Sequence, residues 1–146
     1  MNFLLLLALL AGLVAAETDI VTLDASNFEH LTQAATGATT GDWLIKFYAP
    51  WCGHCKSMQP QYELLATELK GEINVAEVDV AKDRSIGSRF DVKGFPTLLF
   101  LSGGNVYKYK GPRTSAALAA FVRGGYKDAT VETDPVCEAP RLAASP

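Results

Sequence analysis

Two cysteines stand two residues apart in Trp51-Cys52-Gly53-His54-Cys55-Lys56, between an apolar strand-like run and a segment with helical periodicity. At a helix start, the first sulfur of such a pair faces the unpaired N–H groups of the first turn, and the second lies about one turn deeper. One thiol can attack and the other resolve. A free thiol has a pKa of about 8.5, and sites of this kind lower it to roughly 3.5–7.5. The helix terminus contributes about 0.3–2 kcal/mol, at most about 1.5 pKa units, so strong activation needs a further source. His54 supplies one. Protonated or as a hydrogen-bond donor, it stabilises the Cys52 thiolate and makes the Cys52–Cys55 disulfide more oxidising. A purely structural disulfide would close only a tiny loop, and a zinc site would need two more ligands from Cys137, His30 or elsewhere. With a strand before the pair and a helix after it, the context favours redox chemistry with no metal and no cofactor beyond the dithiol itself.

The elements that must hold this pair follow from apolar period. Trp43-Leu44-Ile45-Lys46-Phe47-Tyr48 is almost continuously apolar, as expected of a strand covered on both faces. After Pro50 the spacing of Met58, Tyr62, Leu65 and Leu69 describes an amphipathic helix beginning near Cys52, kinked at Pro60 and closed by Gly71. Upstream, Ile20 to Leu23 reads as a strand. Ser26 and Glu29 form a capping-box pattern for a helix reaching about Ala35. Downstream, the pattern predicts a strand over 73–80, a short helix over 83–90 and a strand over 97–101. A Gly103-Gly104 hairpin then leads into a strand over 106–110, and Thr114 caps a last helix ended by Gly124-Gly125. This order predicts an α/β domain with a mixed central sheet flanked by helices on both faces. From Tyr126 onward periodicity is weak, and with Pro135, Pro140 and Pro146 the segment reads as a tail or linker.

The chain has 146 residues and a net charge of −3. Residues 1–16 are uncharged and mostly Leu and Ala, too short to span a bilayer comfortably, and read as a secretory signal cleaved before Glu17. A buried or anchoring helix is the competing reading. Residues 17–125 suit one domain with one core. No basic cluster, Gly-rich phosphate loop or further long apolar span appears, so the sequence offers nothing for nucleic acid or, beyond the signal, for a membrane. Three cysteines are too few for a disulfide-stapled scaffold.

Phe47-Tyr48-Ala49-Pro50-Trp51-Cys52-Gly53-His54-Cys55-Lys56 resembles the active-site signature of protein disulfide isomerases. The resemblance extends through Val78-Asp79, Gly94-Phe95-Pro96-Thr97 and Gly111-Pro112-Arg113, covering Ile20 to Gly124, and implies a thioredoxin fold. It also implies that Pro96 follows a cis bond and packs on the cysteine pair, with the backbone at Phe95 available for pairing with an extended substrate. Trp51 would help shape the apolar surface on which unfolded chains dock. Arg113 would swing toward Cys55 and lower its pKa; a surface Arg at a helix start is the plainer reading. Where the family usually carries a buried acid, this chain has Lys46. Where many isomerase domains carry Lys on the neighbouring strand, it has Glu77. The pair is reversed, and either Glu77 shuttles the Cys55 proton or the two form a structural ion pair.

The resulting expectation is a thiol-disulfide oxidoreductase with disulfide isomerase activity, in which Cys52 forms the mixed disulfide and Cys55 releases it. Its partners would be unfolded or misoxidised secretory polypeptides, with thiol oxidants or glutathione to recharge the pair, in the endoplasmic reticulum lumen or, alternatively, outside the cell. A thioredoxin-like general reductase and a non-enzymatic client-binding module are the rival readings. Cys137, in the tail, is expected as an exposed thiol or as a partner in an intermolecular disulfide.

Overall fold

The computed structural model describes residues 17–37 and 40–132; the signal-like segment, Cys137 and the proline-containing end of the chain lie outside them. Six strands form one sheet: β1 (Val21–Leu23), β2 (Trp43–Tyr48), β3 (Asn74–Asp79), β4 (Thr97–Ser102), β5 (Asn105–Lys108) and β6 (Val131–Glu132). Their order is β1-β3-β2-β4-β5-β6. The β1–β3 and β3–β2 pairs are parallel; the other pairs are antiparallel. The predicted mixed sheet is therefore present, and β2, the most continuously apolar run, sits inside it.

Alternation along β2 divides the core. Leu44 joins α2 (Gly53–Glu68) and α4 (Ser115–Val122) through Tyr62, Leu65, Leu118 and Val122, with Val75, Leu98 and Phe100 on the same face. Ile45 and Phe47 point the other way and meet Phe28 of α1 (Phe28–Thr32) and Ile86 of α3 (Arg84–Arg89). Helices thus cover both faces. Lys46, alternating with Ile45 and Phe47, is left on the α2 side.

The α2 helix buries Cys55, Met58, Tyr62, Leu65 and Ala66, a stripe at intervals of three and four that continues to Leu69. It remains one helix through Pro60. Tyr62 is fully buried, and its hydroxyl lies 3.0 Å from the Leu44 carbonyl and 2.7 Å from that of Ala76, so α2 is fastened across two strands. At its far end Arg123 forks onto Glu72 and also reaches Glu68 at 2.8 Å, tying α4 to α2.

Two expectations need correction. The first helix is not started by a Ser26–Glu29 capping box: Asp24 Oδ1 accepts from the N–H groups of Ser26 and Asn27 and from the Ser26 hydroxyl, while Glu29 pairs with Arg89. That helix stops at Thr32 because Gln33 turns left-handed at φ 52°, and a 3-10 turn over Ala34–Thr36 follows. Residues 126–132, expected as irregular tail, contain a 3-10 turn (Gly125–Asp128) and β6, which pairs with β5. Tyr126 packs on Phe100 and Tyr107 with ring centroids 5.0 Å away in each case. A two-residue exposed edge strand has no apolar alternation to reveal it. Thr114, by contrast, caps α4 as predicted, its hydroxyl accepting from Ala117 N–H at 3.2 Å.

Candidate redox site

Cys52 is the N-cap of α2, and its sulfur accepts a hydrogen bond from the Cys55 N–H at 3.2 Å. The helix therefore aims an unpaired donor of its first turn at the first thiol. Both cysteines are reduced and buried, packed with Ala49, Tyr48 and Phe95.

Their electrostatics differ in sign. Burial pushes the Cys52 thiol up, but it is outweighed by hydrogen bonds from the Cys55 thiol and from the N–H groups of Cys55 and His54, together with the Arg113 charge; Cys52 ends below the ordinary thiol value. For Cys55, burial is the largest effect and its hydrogen bond to Cys52 adds to it, pushing it up to about 11, against the opposing pull of a backbone hydrogen bond at Ala49 and, less, of the Lys46 charge. One sulfur is poised as the nucleophile; the other holds its proton.

The remaining predicted residues gather around this pair in three places. Gly53 and His54 are exposed in the first turn, and the His54 N–H helps to hold the Cys52 thiol down. A side chain at Gly53 would meet open space. Trp51 is 72% exposed and stands edge-on to Phe95, with centroids 5.7 Å apart. The Phe95–Pro96 bond is cis; both residues are half-buried, and Phe95 packs against the thiols. Arg113 is exposed, and its charge helps to hold the Cys52 thiol down. Its loop is held by the Tyr109 hydroxyl, which donates to the Pro112 carbonyl at 2.6 Å.

Below the thiols, Lys46 and Glu77 face each other in the β2–β3 register, and Lys46 Nζ lies 2.9 Å from Glu77 Oε2. Lys46 is 1% exposed and the Glu77 side chain 19%. Three further contacts of Lys46 were not legible in the sequence. Gln59 accepts a hydrogen bond from its ammonium, and the rings of Tyr62 and Tyr48 flank it at 4.6 Å and 5.2 Å. Gln59 lies four residues after Cys55 on the same helix, and that spacing was the available signal. Lys46, Glu77, Gln59 and Cys55 line one cleft of about 390 Å³. Among the described residues no group of three or more His, Cys, Asp or Glu is placed to hold a metal ion.

A family model described as Thioredoxin matches residues 19–124. The chain belongs to the thioredoxin family. It is 51% identical to a thioredoxin domain-containing protein of Theileria parva over 77% of this chain and 52% of the relative. It is 42% identical to the protein disulfide-isomerase erp38 of Neurospora crassa over 81% of this chain and 32% of that protein. The chain thus spans about half the length of the first and a third of the second. Among solved structures, the first thioredoxin domain of mouse protein disulfide-isomerase A4 superimposes with a TM-score of 0.66 at 33% identity, covering 89% of this chain and 87% of that one. This thioredoxin-family chain is an oxidoreductase-like domain related to the protein disulfide isomerases, with its Cys-x-x-Cys pair at the start of α2.

Proposed function

We propose that the chain catalyses the formation, reduction and isomerisation of disulfides in folding secretory polypeptides, in the endoplasmic reticulum lumen. The observation that carries this reading is the placement of the pair: Cys52 caps α2 and accepts from the Cys55 N–H at 3.2 Å, which helps to hold it below the ordinary thiol, while burial pushes Cys55 up to about 11. The Cys52 thiolate attacks a client disulfide, giving a mixed disulfide and a client thiol. Cys55 then forms the Cys52–Cys55 bond as the Cys52–client bond breaks, or a client thiol performs the release and the client disulfide is rearranged. In the reverse direction the Cys52–Cys55 disulfide oxidises a client dithiol, and glutathione or another thiol oxidant recharges it. Exposed Trp51, with Phe95 and the backbone before Pro96, offers an apolar rim and a strand-pairing edge for an unfolded segment. Glu77, opening on the same cleft as Cys55, accepts the Cys55 proton.

The reduction potential of the Cys52–Cys55 couple, equilibrated against glutathione, tests the assignment. Isomerase sits near −180 mV and thioredoxin near −270 mV, a gap of about 4 kcal/mol. A value near the first is expected; one near the second would make the chain a general reductase. Refolding of a scrambled disulfide protein by Cys52→Ser is the companion measurement. Undiminished refolding would replace catalysis with simple client binding.

A further inference from the structure

The mouth of the thiol cleft differs in charge from the chain around it. Over its whole length the protein carries a net charge of −3. Near the cysteines the acids are already engaged: Glu77 holds Lys46 at 2.9 Å, and Asp91, on the loop leading to Phe95, holds Lys93 at 3.0 Å. Asp79, at the end of β3, turns one oxygen to the N–H groups of Ala81 and Lys82. Two cations are left over. Lys56 follows Cys55 on α2, is exposed, and lines the same cleft. Arg113, also exposed, is near enough for its charge to act on Cys52. Among the described residues neither stands in an ion pair. The Arg113 segment is tied on both sides, by the Tyr109 hydroxyl on the Pro112 carbonyl and by Gln61 of α2, whose Oε1 accepts the Ser115 N–H at 3.0 Å. The next acids on α2, Glu63 and Glu68, lie about 12 Å and about 20 Å along the helix from Cys55 at roughly 1.5 Å per residue. Both distances exceed the Debye length of about 8 Å at physiological salt, so these acids leave the positive rim uncancelled in water.

We propose that Lys56 and Arg113 form a cationic rim that selects client segments with acidic side chains beside the reacting cysteine over those with basic ones. The apolar surface of Trp51 and Phe95 does not distinguish clients by charge; these two side chains do. A client strand lying along the Phe95 backbone advances about 3.3 Å per residue, so side chains one or two positions from its cysteine come within about 7 Å of the reacting sulfur. At that separation in water an opposite charge speeds encounter, and a like charge slows it, by roughly threefold per pair. His54 adds to the rim in its protonated form. The exchange itself is unaltered: the Cys52 sulfur bonds to one client sulfur, the client disulfide breaks, and its other sulfur leaves as a thiolate that takes a proton from solvent.

The preference rests on the thiol-exchange reading for its purpose, and two measurements separate them. In the full chain carrying Cys137→Ser, the rates at which anionic iodoacetate and neutral iodoacetamide alkylate Cys52 are compared; their ratio cancels the thiolate fraction and leaves the local charge. At about 10 mM salt the ratio should exceed that of a neutral cysteine peptide by about fivefold, and at about 0.5 M salt it should fall to within about twofold of it. Lys56→Gln and Arg113→Gln should each lower the low-salt ratio by about twofold, and the double variant should come within about twofold of the peptide. A ratio at or below the peptide's, one indifferent to salt, or one unchanged in the double variant would overturn the proposal. Clients are tested with symmetric peptide disulfides that carry Glu, Ser or Lys on both sides of the cysteine. Each rate is divided by that of dithiothreitol, because an acidic neighbour by itself raises the client thiol's pKa and slows exchange. The Glu peptide should be reduced about tenfold faster than the Lys peptide on this scale. Equal normalised rates would sink the preference and leave exchange standing. Failure to reduce any of the three, the Ser peptide included, would remove the exchange reading, while the alkylation ratio would still decide whether the rim draws anions.

Discussion

The two sulfurs begin as chemically identical side chains three positions apart, and the backbone makes them different. Cys52 receives the helix's first donors, whereas Cys55 gives its own hydrogen to Cys52 and lies deeper. In a Cys137→Ser background, alkylation at pH 7 should therefore modify Cys52 and spare Cys55, as mass spectrometry of the labelled peptides would show; equal labelling of the two would contradict the asymmetry. Stability should carry the same signature. Folded Cys55 keeps its proton to about 11, while the unfolded thiol loses it near about 8.5. Between those values the unfolded chain binds fewer protons, so stability falls as pH rises. Cys55→Ala should lose less stability than the parent between pH 8 and pH 10 in urea titrations. Cys52 has the opposite sign: its contribution grows as pH rises from its lowered folded value toward the ordinary thiol value. At this scale the spacing of Cys52 and Cys55 was open to reading because the motif is local. The Gln59 contact was hidden because it depends on how separate segments meet.

Elements hold those residues with few but specific fastenings. Tyr62 joins the stripe of α2 to the carbonyls of both β2 and β3. Tyr62→Phe keeps the ring and loses the bond, and should cost about 1–2 kcal/mol in denaturant unfolding, leaving buried carbonyls without that donor. Gly87 of α3 has a different constraint: an added Cβ would stand 2.4 Å from Val80 Cγ1, against a stiff branched side chain. Gly87→Ala should destabilise by about 1–2 kcal/mol despite its better helix propensity. The periodic helices and apolar strands were predictable because burial imposes their pattern. The start of α1 was not, because Asp24, Ser26 and Asn27 all carry groups able to cap, and the bonds actually formed run to Asp24.

Across the whole molecule, the sheet sets a gradient of protection. Its interior strand β2 is paired on both sides, by β3 and β4, whereas β6 is an exposed edge. Yet residues near that edge matter: Tyr126 closes an aromatic cluster with Phe100, Tyr107 and Phe121. Tyr126→Ala should lower stability by about 2–3 kcal/mol, less than for a fully buried ring because Tyr126 is only half-covered. A loss below about 0.5 kcal/mol would show the cluster to be incidental. The placement of Lys46 on β2 has a consequence in time rather than energy. Its amide belongs to the strand expected to open only with global unfolding, while Trp51 and Arg113 lie on exposed loops expected to exchange early. Deuterium uptake should thus divide the redox centre into a fast rim and a slow floor, so that clients meet an adaptable surface while the charge beneath the resolving thiol keeps its place.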